Sequence, residues 1–166
     1  MRSKKNTTML VVNNNNDKKI STEFTEICKA FPEYQKIDFM EKMRNRFDSV
    51  FQAFVNARYE ELKALLSSEL YESFSEQISK RESSNLRQEI LIKHIETIIT
   101  KVMPSAKNLI LNMKFNVSQM SALINSEGVS YNNPGKIFLD VSHFWVFQRK
   151  ISKDSDWILI QTSIKN

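Results

Sequence analysis

The hydrophobic period changes once along this chain, and that change limits the fold more than any single motif. Up to about residue 82 the large apolar residues recur every three or four positions. Phe39, Met43, Phe47, Val50, Phe51 and Phe54 form one stripe, with charged residues filling the opposite face. Such spacing predicts an amphipathic helix from Ile37 onward. Leu62, Leu65 and Leu66 predict a short second helix. Leu70, Tyr71, Phe74 and Ile78 predict a third, with Ser67 or Ser68 as its N-cap. After Ser83-Ser84-Asn85 the period becomes two. "EILIKHIETIITKVM" is β-branched. In "NLILNMKFNVS", Leu109, Leu111, Met113, Phe115 and Val117 alternate with Asn112, Lys114, Asn116 and Ser118. The segment "NSEGVSYNNPGK" predicts a long loop or hairpin tip. Two further strands, about 137–150 and 156–163, meet at a turn over Ser152–Ser155. Helices first and antiparallel strands afterwards imply an α+β fold, with the helices on one face of a bent sheet.

The last hairpin, "HFWVFQRKISKDSDWILIQTS", is apolar on both faces. A four-residue turn would place residue 147 opposite 160 and 150 opposite 157. Trp145, Phe147, Ile158 and Ile160 would then face the core. Phe144, Val146, Trp157 and Leu159 would form an outer face, with Lys150 placed over Trp157. Four large apolar groups exceed what scattered surface hydrophobics explain. The N-terminal segment, a second copy of the chain or a protein partner is therefore expected to cover them.

Charge is concentrated at the other end. Residues 1–46 hold ten Lys/Arg against six Asp/Glu, whereas residues 47–166 hold fourteen against thirteen. Residues 1–36 read as a basic, flexible extension, "MRSKKNTTMLVVNNNNDKK" followed by a short amphipathic helix. Ser21 or Thr22 would cap that helix, Phe24, Ile27 and Phe31 would form its stripe, and Pro32 would end it. Lys18, Lys19 and Lys29 beside that stripe point to an anionic membrane surface. Nucleic acid is disfavoured as a partner of the nearly neutral domain, except through a ribosome. No run approaches the roughly 18 apolar residues that span a bilayer.

Catalytic chemistry has little to build on. The two histidines, His94 and His143, have no ligand spacing and read as surface or rim residues. His94 and Glu96 share a face of the first strand, whereas Asp140 and His143 lie on opposite faces of the third. No catalytic, cofactor or metal set converges. Cys28, the sole cysteine, reads as a small buried residue and excludes an internal disulfide. Arg81 is expected to complement the end of its own helix and pair with an acid, and Arg149 to stack on an aromatic ring.

Four segments in order, "FDSVFQAFVNARYEELKALLSSELYESF", "QISKRE", "NLILNMKF" and "FWVFQRKISKDSDWILIQTS", are similar to the Tim-forty-four-like domain family over about residues 37–163. That family comprises the peripheral inner-membrane subunit of the mitochondrial import translocase, its alphaproteobacterial relatives and a mitochondrial large-ribosomal-subunit protein. Trp145, Phe147, Arg149 and Trp157 match its W-x-F-x-R ending and Trp-led last strand. Ser83-Ser84-Asn85 stands where the family usually carries a Gly. The resemblance implies a nuclear-transport-factor-two-like (cystatin-like) cone with an apolar pocket, over residues 37–166. It also implies a non-enzymatic scaffold, peripheral on a bacterial inner membrane or on the matrix side of the mitochondrial one. Such a scaffold binds anionic lipid and a protein partner, a translocase or another membrane complex, and can form a homodimer. The alternatives are a ribosome-associated tether and a small-ligand-binding or isomerase-like enzyme of the same fold.

Overall fold

The structure is a computed structural model that describes residues 17–152 and 155–165, with side chains from Glu23 onward. Four helices precede four strands: α1 (Asp17–Ala30), α2 (Lys36–Val55), α3 (Tyr59–Leu65), α4 (Ser68–Ser83), β1 (Arg87–Pro104), β2 (Asn108–Ile124), β3 (Leu139–Lys150) and β4 (Ile158–Lys165). The strands form one antiparallel sheet in the order β1-β2-β3-β4. β1 and β2 are 18 and 17 residues long. Strands of that length bend to stay on a small core, and β1 does so with register shifts at Ile92/His94 and Ile99/Lys101. The result is the α+β fold with a bent sheet that the change of period predicts.

The helix stripe packs as anticipated. Phe39, Met43, Phe47 and Val50 are buried against Leu111, Phe115, Trp145 and Phe147 from the sheet. Rings fill the interior: Phe47 lies 4.4 Å from Phe115, 4.5 Å from Trp145 and 4.6 Å from Phe51, centroid to centroid. Ser67 is the N-cap of α4, its Oγ accepting the Leu70 N–H at 3.3 Å. Arg81 acts differently from expectation. It is buried, and its Nη2 donates to the Phe54 and Val55 carbonyls at 3.0 and 3.2 Å. It therefore satisfies the C-terminus of α2, where Ala57 takes a positive φ of 52° and the helical ladder ends.

Two further expectations about the elements need correction. The first is the register of the last hairpin. Phe147 pairs with Leu159 and Gln148 with Ile158, while Val146 pairs with Gln161, so one residue of β4 bulges between them. A one-residue slip exchanges the faces of a strand. Trp157 and Leu159 thus face the core and are fully buried, while Ile158 and Ile160 are only half-buried. The cause is the indole of Trp157, which sits between Phe31 and Phe39 (5.9 and 6.1 Å) with its Nε1–H directed at Tyr34 Oη, 3.4 Å away. Burying that side chain outweighs burying an isoleucine in its place. The β3 assignment stands: Trp145 and Phe147 are buried, and Phe144 and Val146 lie outward and half-buried.

The second correction concerns α1. Its stripe does not hang free as part of an extension. Ile27 is 0% and Phe31 3% exposed, Phe24 packs 5.9 Å from Phe39, and Glu23 accepts the Val102 N–H of β1 at 2.9 Å. The helix belongs to the core because three aromatic or aliphatic groups on one face are worth far more buried than solvated. Residues 1–16 of the expected extension lie outside the described residues.

Candidate functional site

Three surfaces or clusters carry chemistry: the junction of α1 with the end of the sheet, the outer face of the sheet, and the buried histidine.

At the junction, Arg149 from the end of β3 lies under Phe31, its guanidinium carbon 3.8 Å from the ring centroid and 5.6 Å from that of Tyr34. Nη1 donates to Tyr34 Oη. The stacking expected of Arg149 is present, and its partners, Phe31 and Tyr34, come from the α1–α2 loop. Lys150, expected over Trp157, is exposed; Arg149 and Tyr34 occupy that neighbourhood instead. Asp156 holds the start of β4, its carboxylate 2.5 Å from Arg46 and 3.4 Å from Lys42 of α2. Partial burial opposes its charge, but hydrogen bonds from Arg46 and from the Trp157 N–H, with the Arg46 and Lys42 charges, hold its pKa below the usual carboxylate value. Cys28 is half-buried, its Sγ 3.7 Å from the Tyr34 carbonyl.

Of the residues expected to meet lipid, Lys29 is exposed and paired with Glu26 at 2.7 Å. Ile27, Phe31 and the half-buried Phe24 are in the core interface. Lys18 and Lys19 fall in the first turn of α1, and their side chains lie outside the described residues.

The outer sheet face carries Phe144 and Val146 as expected, with Ile158 in place of Trp157 and Leu159. Lys114 pairs with Phe144 in register, and its Nζ lies 5.6 Å from the Phe144 centroid. Lys165 approaches the same ring at 5.9 Å. Further along this face Glu96, Asn116 and Ser142 form a polar ladder across three strands. Asn116 donates to Glu96 and Ser142 to Asn116, both at 2.8 Å. His94 is half-buried beside it.

His143 is the correction here. It is neither surface nor rim: it is 1% exposed, with Phe47 and Phe51 each 5.3 Å from its ring. Its Nε2 lies 2.7 Å from Gln119 Oε1, a hydrogen bond that the neutral Nε2–H tautomer donates. Burial lowers its pKa to about 4. The sequence signal was its position two residues before Trp145, on the face that alternation assigns to the core.

Two surface clefts, about 390 and 530 Å³, are lined by polar residues including Asp38, Glu41 and Arg46 in one, and Glu82, Asn85 and Asn125 in the other. No group of three or more His, Cys, Asp or Glu could hold a metal among the described residues. No helix among them is long and apolar enough to cross a membrane.

The sequence profile of the Tim44-like domain matches residues 20–164. Among solved structures, the intermembrane space region of chloroplast protein ARC6 is similar in fold. It superposes with a TM-score of 0.52 at 12% identity, over 75% of this chain and 95% of that one. A de novo β-sheet design protein matches more loosely, with a TM-score of 0.30 at 11% identity over 77% of this chain and 88% of that one. No curated protein sequence matches significantly. The profile runs from within α1 to the end of β4, across all eight elements described above, and the chain belongs to the Tim44-like domain family.

Proposed function

We propose that this domain is a non-enzymatic scaffold, peripheral on a bacterial inner membrane or on the matrix side of the mitochondrial one. Its basic N-terminal end contacts anionic lipid, and the outer face of its sheet receives a protein partner of a translocase or another membrane complex. The open sheet face carries this reading: Phe144, Val146 and Ile158 point away from the helices, with Lys114 and Lys165 around Phe144. Family membership supports it. So does the placement of two of the four candidate bases, His94, Glu96, Asp140 and His143. His143 is enclosed by rings, and Glu96 is bonded to Asn116.

The manner of lipid contact follows from the packing of α1. With Ile27 and Phe31 in the core, the described side chains of the helix leave no free apolar stripe to insert while it stays docked. Contact then rests on charge, from Arg2, Lys4, Lys5, Lys18 and Lys19. Each cation near an anionic leaflet contributes about 1 kcal/mol, screened within about 8 Å at physiological salt. The purified chain should float with phosphatidylglycerol vesicles, float less with phosphatidylcholine vesicles, and be released by raised salt. Equal flotation on both vesicle types would refute the lipid part of the reading.

The partner face has its own test. Val146→Lys places a charge on a half-buried outer position and should change stability by only about 0.5 kcal/mol. It should nevertheless abolish capture of a partner or of a second copy, read by crosslinking and sedimentation against the unmodified chain. Unchanged assembly in Val146→Lys would remove the outer face from the account.

A further inference from the structure

Four of the large apolar side chains that stay exposed belong to one stretch, the β2–β3 connection and the first residue of β3. Val129, Tyr131, Ile137 and Leu139 are between 54% and 72% exposed. Three asparagines hold this stretch in place, two of them against the flank of β2 that β3 does not reach. Asn125 Oδ1 accepts the Glu127 and Val129 N–H groups at 3.0 and 2.9 Å, and Asn132 Oδ1 accepts the Leu123 N–H at 2.7 Å. Asn133 donates to the Ser121 and Ile137 carbonyls, both at 3.1 Å, and its Oδ1 accepts the Ile137 N–H at 3.0 Å. Backbone bonds from Asn125 to Val129 and from Tyr131 to Leu123, both 3.0 Å, complete the attachment.

The register puts all four side chains on the helix side of the sheet. Leu139 pairs with Gln119, which bonds to the buried His143. Ser130 bridges Ile124, and Phe138 packs on Met120, Ala122 and Ile124, a small cluster on the opposite, outer face. The four are the chain neighbours of Ser130 and Phe138, and in extended backbone neighbours point to opposite faces. The sheet positions beside them, Gln88, Ile90 and Ile92 of β1 and Gln119, Ser121 and Leu123 of β2, share the helix side and carry no charge. Charged residues of this end stand off that face. Glu127 is at the loop tip, Asp140 pairs with Ser118 on the outer face, and Glu89 is there with Arg87 and Lys136.

The result is an uncharged apolar surface on a chain of net charge +5. The four side chains expose on the order of 400 Å², within the range of the largest patch on a typical monomer, which is often functional. Contact there orders little, because the backbone that carries them is already fixed. The lack of charge bears on the partner. A charged foreign surface gains no electrostatic complementarity here, whereas two basic copies can meet at this patch without opposing like charges. Two such patches face to face, with their amide borders, would bury about 1,200 Å² in total, the lower end for a specific pair.

We infer that this loop end of the sheet is a self-association surface. Val129, Tyr131, Ile137 and Leu139 of one copy meet the same residues of a second copy about a two-fold axis. The inference goes beyond the scaffold reading above, whose outer face lies on the other side of the sheet and is left to a different protein.

The test is sedimentation of the full chain from about 1 μM to about 1 mM, the affinity range of a small interface, with methyl spectra recorded over the same range. The chain should pass from monomer to dimer. The methyl signals of Val129, Ile137 and Leu139 should shift with concentration, and that of Val146 should not. Tyr131→Glu and Leu139→Glu, both at exposed positions, set like charges against each other across the axis. Each should raise the dissociation constant at least tenfold with an unchanged melting temperature, and having two variants keeps the test decisive if one fails to fold. Ile37→Glu, at a comparably exposed apolar position on α2, is the control and should dimerise as the unmodified chain does. The inference is overturned if the chain stays monomeric throughout the range, or if neither folded variant weakens the dimer. It is equally overturned if Val146→Lys breaks the dimer and Tyr131→Glu does not, because the second copy would then sit on the outer face.

Discussion

Phe47→Ala should destabilise the domain by about 3–5 kcal/mol, the range for truncating a fully enclosed aromatic side chain. Phe47 is 0% exposed and touches the rings of Phe51, Phe115, His143 and Trp145. Removing it opens a void between α2 and the sheet that none of those rings can fill without leaving its own contacts. The loss should appear as a lower denaturant midpoint with an unchanged slope. Ile37, on the same helix but 71% exposed, is the control, and Ile37→Ala should move stability by no more than about 0.5 kcal/mol. A loss below about 1 kcal/mol for Phe47→Ala would mean that α2 does not pack on the sheet as described.

Acid should unfold the domain through His143. Its folded pKa is lowered from 6.5 to about 4, because burial disfavours the imidazolium. The unfolded chain therefore takes up a proton as pH falls through 6.5, while the folded chain does not do so until about pH 4. Between these values the unfolded state binds more protons, so stability falls with falling pH and levels off below 4 as far as this group is concerned. Over that window the loss is on the order of 3 kcal/mol at about 1.4 kcal/mol per pH unit. Asp156, whose pKa is depressed, adds a loss in the same direction as its own carboxylate protonates. His143→Gln separates the two. It should flatten the slope of stability between pH 6.5 and 4, whatever its effect at neutral pH. An unchanged slope in that variant would show that the imidazole is not enclosed.

The helices and strands were legible because each carried a long, regular pattern. The Phe39–Phe54 stripe, the Ser67 cap and the alternation of Leu109–Val117 each rest on local geometry, and the structure places them accordingly. What was not legible depended on distant partners. The face of β4 was decided by Tyr34, Phe31 and Phe39, which enclose Trp157 from more than a hundred residues away. A count across the turn could not register the bulge at Ile160. Arg81 looked like the end of its own helix because the carbonyls it caps belong to α2. α1 read as an extension because its charge suggested a surface role, and its three apolar groups are too few to distinguish a docked helix from a membrane-facing one. His143 lay on a face assigned to the core, but an isolated histidine gives no sign of being enclosed. For the site, alternation identified the outer positions Phe144 and Val146, and the W-x-F-x-R ending drew attention to Arg149. Which rings it stacks on, Phe31 and Tyr34, emerged only from the packing of the α1–α2 loop across it.

The central claim is that the domain meets the membrane by charge with α1 still in its core. Hydrogen exchange of the amides from Ile27 to Phe31, in the last turn of α1 and just after it, measured on protein bound to phosphatidylglycerol vesicles, tests it most directly. The account predicts vesicle binding with those amides as protected as in free protein. Vesicle binding accompanied by loss of their protection would contradict it, because the Ile27 and Phe31 stripe would then have left the core for the lipid.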